Sequence, residues 1–192
     1  NDIAEFLEQE GYFYSRKGHW SVPEKKLEAM SVWEDITTGK GTYVGRVRRL
    51  YEMVPKMGEG AVVKRGSIKL LDAAAPDELL THAKLVKDFG MLAPIDTSPL
   101  DVIRLSEQEK IYIRSIERKG ESVYKEPRIK ISTIHAMKGG EDDNVAVYLG
   151  STKACVEGKH PEDENRIFYV AVTRAKQNLY LIESDKKYRY EI

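Results

Sequence analysis

Cysteine is almost missing from this chain: Cys155 stands alone among 192 residues, which rules out an internal disulfide and makes a reducing cytoplasm the simplest setting. No apolar run reaches the length of a signal core or a membrane span, so a membrane partner is not expected. Charge of one sign is missing too, with 31 basic residues against 31 acidic. The whole-molecule field of a nucleic-acid binder is therefore absent, and any DNA contact must be local. Nor is there a phosphate-cradling loop of the form GxxxxGK[ST]. The two Gly-Lys pairs, Gly39-Lys40 and Gly158-Lys159, lack the upstream glycine and the following hydroxyl. No apolar strand ends in an acidic pair that would hold Mg²⁺, since Asp77-Glu78 follows Ala-Ala-Ala-Pro and Asp163-Glu164 begins a helix. His19, His82 and His160 have no metal-ligand spacing. There is no internal repeat or low-complexity tract. A complete nucleotide-hydrolysing motor is excluded, while the length suits one or two domains.

What is present divides the chain in three. Residues Asp2 to Glu10 place Ile3, Phe6 and Leu7 on one helical face, and Tyr12-Phe13-Tyr14 after Gly11 reads as a short strand. Helical signals then follow one another. Ser21 with Glu24 predicts a capping box ahead of Leu27, Met30, Trp33 and Ile36, closed by Gly39. A second helix is expected over Thr42 to Val54 with Val47, Leu50 and Val54 inward and Arg46 and Arg49 outward, and a third near Pro76. A fourth is capped by Ser106 and Glu109 ahead of Ile113 and Ile116. After Pro127 short apolar strands return, at Ile129 to Ile134, Asn144 to Leu149 and Asn178 to Ile182. The helix before the last strand opens with Pro161 and acidic residues, as the helix dipole favours. Its middle, Ile167 to Val172, is apolar on every side and is expected to lie buried against a sheet. The two outer segments are expected to form one α/β sheet domain interrupted by a mainly helical insertion.

Two stretches put polar groups where a plain fold has no need of them. In Ile131 to Glu141 a strand runs out into hydroxyls, an imidazole, an amine, paired glycines and a carboxylate, and open α/β sheets hold ligands beyond the carboxyl ends of their strands. Thr133 and His135 can bond phosphate oxygens or stack on a base, Gly139 and Gly140 let backbone approach a ligand, and Glu141 can accept from sugar hydroxyls. The same run also reads as a strand ending in a glycine turn, with Thr133 and His135 bonded to backbone. In Asn165 to Lys176, Arg174 sits in the last turn of a helix, where the dipole favours a cation for structural reasons alone. A guanidinium on so rigid an element is also the group that neutralises charge on a transferring phosphoryl. Composition leaves both pairs of readings open.

Ser132 to Glu141, STIHAMKGGE, and Arg166 to Lys176, RIFYVAVTRAK, resemble motifs V and VI of the UvrD, Rep and PcrA family of superfamily 1 helicases. The resemblance covers the last third of the chain directly, the opening helix and strand fit the family's segment beyond motif IV, and the helical middle matches by position. It implies a second RecA-like motor domain, a parallel-sheet domain incomplete at its N-terminus, over residues 1–20 and 127–192. An inserted, mainly helical accessory domain would span 21–126. It further implies that Arg174 is the arginine finger on the γ-phosphate of ATP and that Glu141, with Gly139 and Gly140, meets the nucleotide. Thr133, His135 and Lys138 would hold single-stranded DNA, while Arg166 and Tyr169 would support the structure.

On this reading the chain belongs to a longer ATP-dependent DNA helicase and is expected to start inside a domain. ATP and Mg²⁺ would be held mainly by an N-terminal RecA-like domain of the same protein. Single-stranded and duplex DNA are the expected partners, and the chain alone is expected to be inactive. Arg46, Arg48, Arg49, Lys64, Arg65 and Lys69 offer a basic surface for duplex phosphates or simply a solvated face. The alternative to a motor is a non-catalytic docking module derived from a helicase half, against which intact Arg174 and Glu141 argue. A nuclease-linked relative is disfavoured because no carboxylate cluster follows motif VI.

Overall fold

A computed structural model describes residues 2–137, 139–153 and 161–190, which form two compact units, residues 1–131 and 132–192. The first unit opens with helix α1, Asp2–Gln9, and strand β1, Tyr14–Arg16. Its inward residues are Ala4 and Leu7, packed with Tyr14, while Ile3 and Phe6 are exposed. The expected Ile3-Phe6-Leu7 face is thus rotated, with Ala4 and Leu7 rather than Ile3 and Phe6 packed against Tyr14. The strand begins at Tyr14, two residues later than expected. Tyr12 N–H closes the end of α1 by donating to Leu7 O at 2.8 Å.

Lys17 (φ 52°) and Gly18 (φ 77°) turn the chain from β1 into β2, His19–Trp20, the two successive positive φ values that a tight hairpin demands. The expected capping box at Ser21 does not form. Helix α2, Glu24–Thr37, starts after Pro23 without a side-chain cap. The Ser21 hydroxyl oxygen instead accepts from Tyr14 N–H (3.3 Å) and meets Tyr112 O–H (2.9 Å). Burial drives the Tyr112 phenol up to about 12.

Leu27, Met30, Trp33 and Ile36 of α2 are buried as their spacing predicts, and Trp33 Nε1–H donates to Thr97 O at 2.8 Å. Two-residue strand β3, Thr42–Tyr43, precedes α3, Val44–Met53, whose Val47 and Leu50, with Val54 just beyond, are fully buried. Short helix α4, Ser67–Leu70, and β4, Leu79–Leu80, follow. Strand β4 pairs antiparallel with β3, so the helix expected near Pro76 begins only at His82, as α5, His82–Asp88. The same pairing delays the helix expected from Thr42. His82 is a packing residue, edge-on to Trp33 at 5.7 Å and bonded to Ala93 O. After α6, Pro99–Val102, helix α7, Glu107–Arg118, carries the predicted capping box with both bonds present, and Ile113 and Ile116 are buried. Strand β5, Ile129–Ile131, lies parallel to β1, giving the order β2-β1-β5. The two outer ends of this unit thus meet in one sheet around a mainly helical middle.

The second unit is a β-α-β arrangement: β6, Asp142–Tyr148, helix α8, Pro161–Val172, and β7, Ala175–Ile182, parallel to β6. The strand expected through Ile134 ends at Ile131, and the chain tightens into a 3-10 turn at His135–Met137. Helix α8 begins at Pro161 as expected, yet it is not buried all round. Ala171 is covered, Ile167, Phe168 and Val170 are half-buried, and Tyr169 is 67% exposed. The described sheet of this unit has only two strands, which can cover one stripe of a helix and no more. Phe168 stacks on Tyr190 with centroids 4.5 Å apart.

Candidate nucleotide and single-strand site

The second unit contains Thr133, His135, Gly139, Gly140, Glu141 and Arg174. Lys138, the remaining candidate for single-stranded DNA, lies outside the described residues. Thr133 starts the turn: its carbonyl accepts from Ala136 N–H (3.0 Å) and Met137 N–H (3.2 Å), and its hydroxyl accepts from Ala136 N–H at 3.3 Å. It is exposed, as is His135, whose imidazole has no partner among the described residues. Both are therefore open to an approaching strand, though the Thr133 hydroxyl also makes the local backbone bond that the plainer sequence reading anticipates.

Met137 O accepts from Gly140 N–H at 2.9 Å, which closes the glycine turn. Gly139 sits at φ 85°, a conformation other L-residues adopt only at a cost, so glycine is required there for geometry. The turn leads straight into β6, and Asp142 N–H donates to Arg174 O at 3.0 Å, tying it to the end of α8.

Arg174 is half-buried, and its guanidinium is held by oxygens around it. Nε–H donates to Val170 O (2.9 Å), Nη1 to Gly140 O (3.3 Å) and Nη2 to the Thr173 hydroxyl (3.2 Å). The carbonyls at the C-terminal end of α8 carry the negative end of the helix dipole, which accounts for a cation there. Glu141 lies half-exposed, with Lys176 Nζ 3.9 Å from its carboxylate, a loose surface pair worth little in stability. The fold thus brings Arg174 and the Gly140-Glu141 turn together by direct bonds, while Thr133 and His135 connect to Arg174 only through the backbone of the turn. Sequence reasoning missed Thr173 and Lys176 as partners. Their signal was adjacency within the RIFYVAVTRAK run and the pairing of β6 with β7, the second of which no sequence pattern discloses.

Arg166 forms an i,i+3 pair with Asp163 on the helix surface. In the first unit Arg46, Arg48 and Arg49 pair with Asp35 (2.7 Å), Asp72 (2.5 Å) and Glu28 (2.6 Å). Their charge is largely answered within the protein, and they make a poor basic surface. Lys64, Arg65 and Lys69 form no ion pair among the described residues. No described helix is long and apolar enough to cross a membrane.

Residues 96–186 match the family model of the UvrD-like helicase C-terminal domain, a stretch that takes in both motif-bearing segments and the whole Arg174 cluster. No curated protein is similar enough to the chain to serve as a comparison. The family match and the two motif segments agree: residues 96–186 are similar to the C-terminal domain of UvrD-like helicases, which supports a helicase C-terminal portion.

Proposed function

We propose that this chain is the part of an ATP-dependent DNA helicase that completes the ATP site from its second motor domain. Arg174 acts as the arginine finger, and the turn of Gly139, Gly140 and Glu141 faces the nucleotide sugar. Thr133, His135 and Lys138 form part of the track for single-stranded DNA. Residues 1–20 and 127–192 then belong to one RecA-like domain, a reading supported by the parallel pairing of β1 with β5, and 21–126 is the accessory insertion. ATP lies between this domain and an N-terminal RecA-like domain of the same protein. Opening and closing of that cleft drives translocation on one strand and separation of the duplex. The cytoplasm is the proposed place of action.

The observation that carries this reading is the state of Arg174. Its guanidinium is fastened to a rigid helix end and to the glycine turn, yet one N–H on each terminal nitrogen has no acceptor among the described residues. That is the donor arrangement an anionic phosphoryl needs. Mg²⁺ would supply charge neutralisation on the phosphates. On this reading the ion is held mainly by the N-terminal RecA-like domain.

The test is Arg174→Ala in the complete helicase. Turnover of ATP should fall by roughly 10³ to 10⁵, the range for loss of an arginine finger, with single-strand affinity retained. Parallel loss of both activities would mark Arg174 as a folding residue instead. The chain by itself should not hydrolyse ATP, and measured turnover by it would count against the two-domain site.

A further inference from the structure

The Arg174 guanidinium carries five N–H donors in one rigid plane. Three are engaged, one on each nitrogen, by Val170 O, Gly140 O and Thr173 Oγ1. The Thr173 hydroxyl gives its own proton to Val170 O at 3.0 Å, so toward Arg174 it can only accept. Val170 O and Thr173 Oγ1 therefore take Nε and Nη2 together, and both oxygens belong to the end of α8. Without the Thr173 hydroxyl the guanidinium would keep Nε on Val170 O and the longer Nη1 bond to Gly140 O on a separate segment. The bond at Nη2 completes a two-point fork to the helix end itself, which fixes the plane relative to α8. Thr173 is exposed, so its side chain fills no core.

We propose that Thr173 is a positioning residue for Arg174: its hydroxyl locks the guanidinium plane so that the one spare N–H on each terminal nitrogen is presented to the oxygens of a phosphoryl group. The inference rests on the reading of Arg174 as the finger and goes beyond it, because it names the group that aims the finger. Aiming matters to rate more than to ground-state binding. Misplacement of a reacting or stabilising group by about 1 Å can cost roughly a hundredfold, whereas most contacts to bound ATP are made elsewhere.

Two measurements test it. In the complete helicase, Thr173→Val, which keeps the branched shape and removes the hydroxyl, should lower kcat by roughly ten- to a hundredfold, with KM for ATP little changed. Thr173→Ser should restore most of the loss. In the chain itself, the Arg174 Nε–Hε nuclear magnetic resonance signal should exchange with solvent faster in Thr173→Val than in wild type or Thr173→Ser. Thr173→Val turning over like wild type while Arg174→Ala is inactive overturns the positioning role and leaves the finger intact. Arg174→Ala turning over like wild type overturns the finger reading, and the phosphoryl with it. Equal exchange of the Nε–Hε signal in all three proteins overturns the lock itself.

Discussion

Replacing Gly139 by alanine separates backbone strain from packing at the turn that carries Glu141. A Cβ added at Gly139 would meet nothing within 4 Å, so there is no steric collision to account for. The whole cost comes from φ 85°, the left-handed region, where an L-residue loses about 1–2 kcal/mol. Gly140 is the matched control. Its φ is ordinary, and an added Cβ would meet Met137 Cε at 3.3 Å and Met137 O at 3.4 Å. The nearer of these is the tip of a flexible side chain that can move aside. Gly140→Ala should cost under about 0.5 kcal/mol, like most surface changes. Gly139→Asn should fall between the two, because a short polar side chain tolerates this conformation. Hydrogen exchange of the β6 and β7 amides reads the second unit on its own. Gly139→Ala should speed their exchange by a factor of about 5–30, the equivalent of 1–2 kcal/mol, and Gly140→Ala hardly at all. The reverse order, or no effect of Gly139→Ala, would refute the assignment of the turn to backbone conformation.

Ser106 makes the capping box with Glu109, so Ser106→Ala should destabilise the first unit by about 1 kcal/mol in denaturant unfolding, and Ser106→Gly by less. Unchanged stability in Ser106→Ala would show that α7 is held by packing alone. Burial pushes the Asp35 carboxyl up, but bonds from Lys40 and Arg46 outweigh it and hold the group below its ordinary value. A depressed folded-state value means that the contribution is complete above the unfolded value of about 3.9 and is lost as pH falls through the folded one. Stability of the first unit should therefore be level from neutral pH to about 5 and decline below about 4, more gently in Asp35→Asn. An identical acid limb in Asp35→Asn would contradict the ion-pair argument.

The elements that sequence predicted well are those where one local rule acts unopposed. The Ser106 box forms because its donors and acceptors lie within one turn. Trp33 and Leu50 are buried because helical periodicity puts them on one stripe. The failures have a common cause. At Ser21 a distant hydroxyl, that of Tyr112, competed for the serine oxygen. At Pro76 the pairing of Leu79–Leu80 with Thr42–Tyr43 overrode a local helix signal, and on α1 the residues packed with Tyr14 are Ala4 and Leu7.

For the site the division is similar. Sequence by itself singled out Arg174, Glu141 and the glycine pair and placed them on a helix end and a turn, because those roles depend on residue type and spacing along a few consecutive residues. That the two stretches meet, through Asp142 N–H on Arg174 O and Nη1 on Gly140 O, was decided only by the parallel pairing of β6 with β7. The grip of Val170 and Thr173 on the guanidinium is local, from four and one residues back along the chain, whereas the pairing of Arg46, Arg48 and Arg49 with acids 11, 24 and 21 residues away was again decided by the tertiary fold. Contacts between segments far apart in the chain depend on three-dimensional register, which residue order does not encode locally.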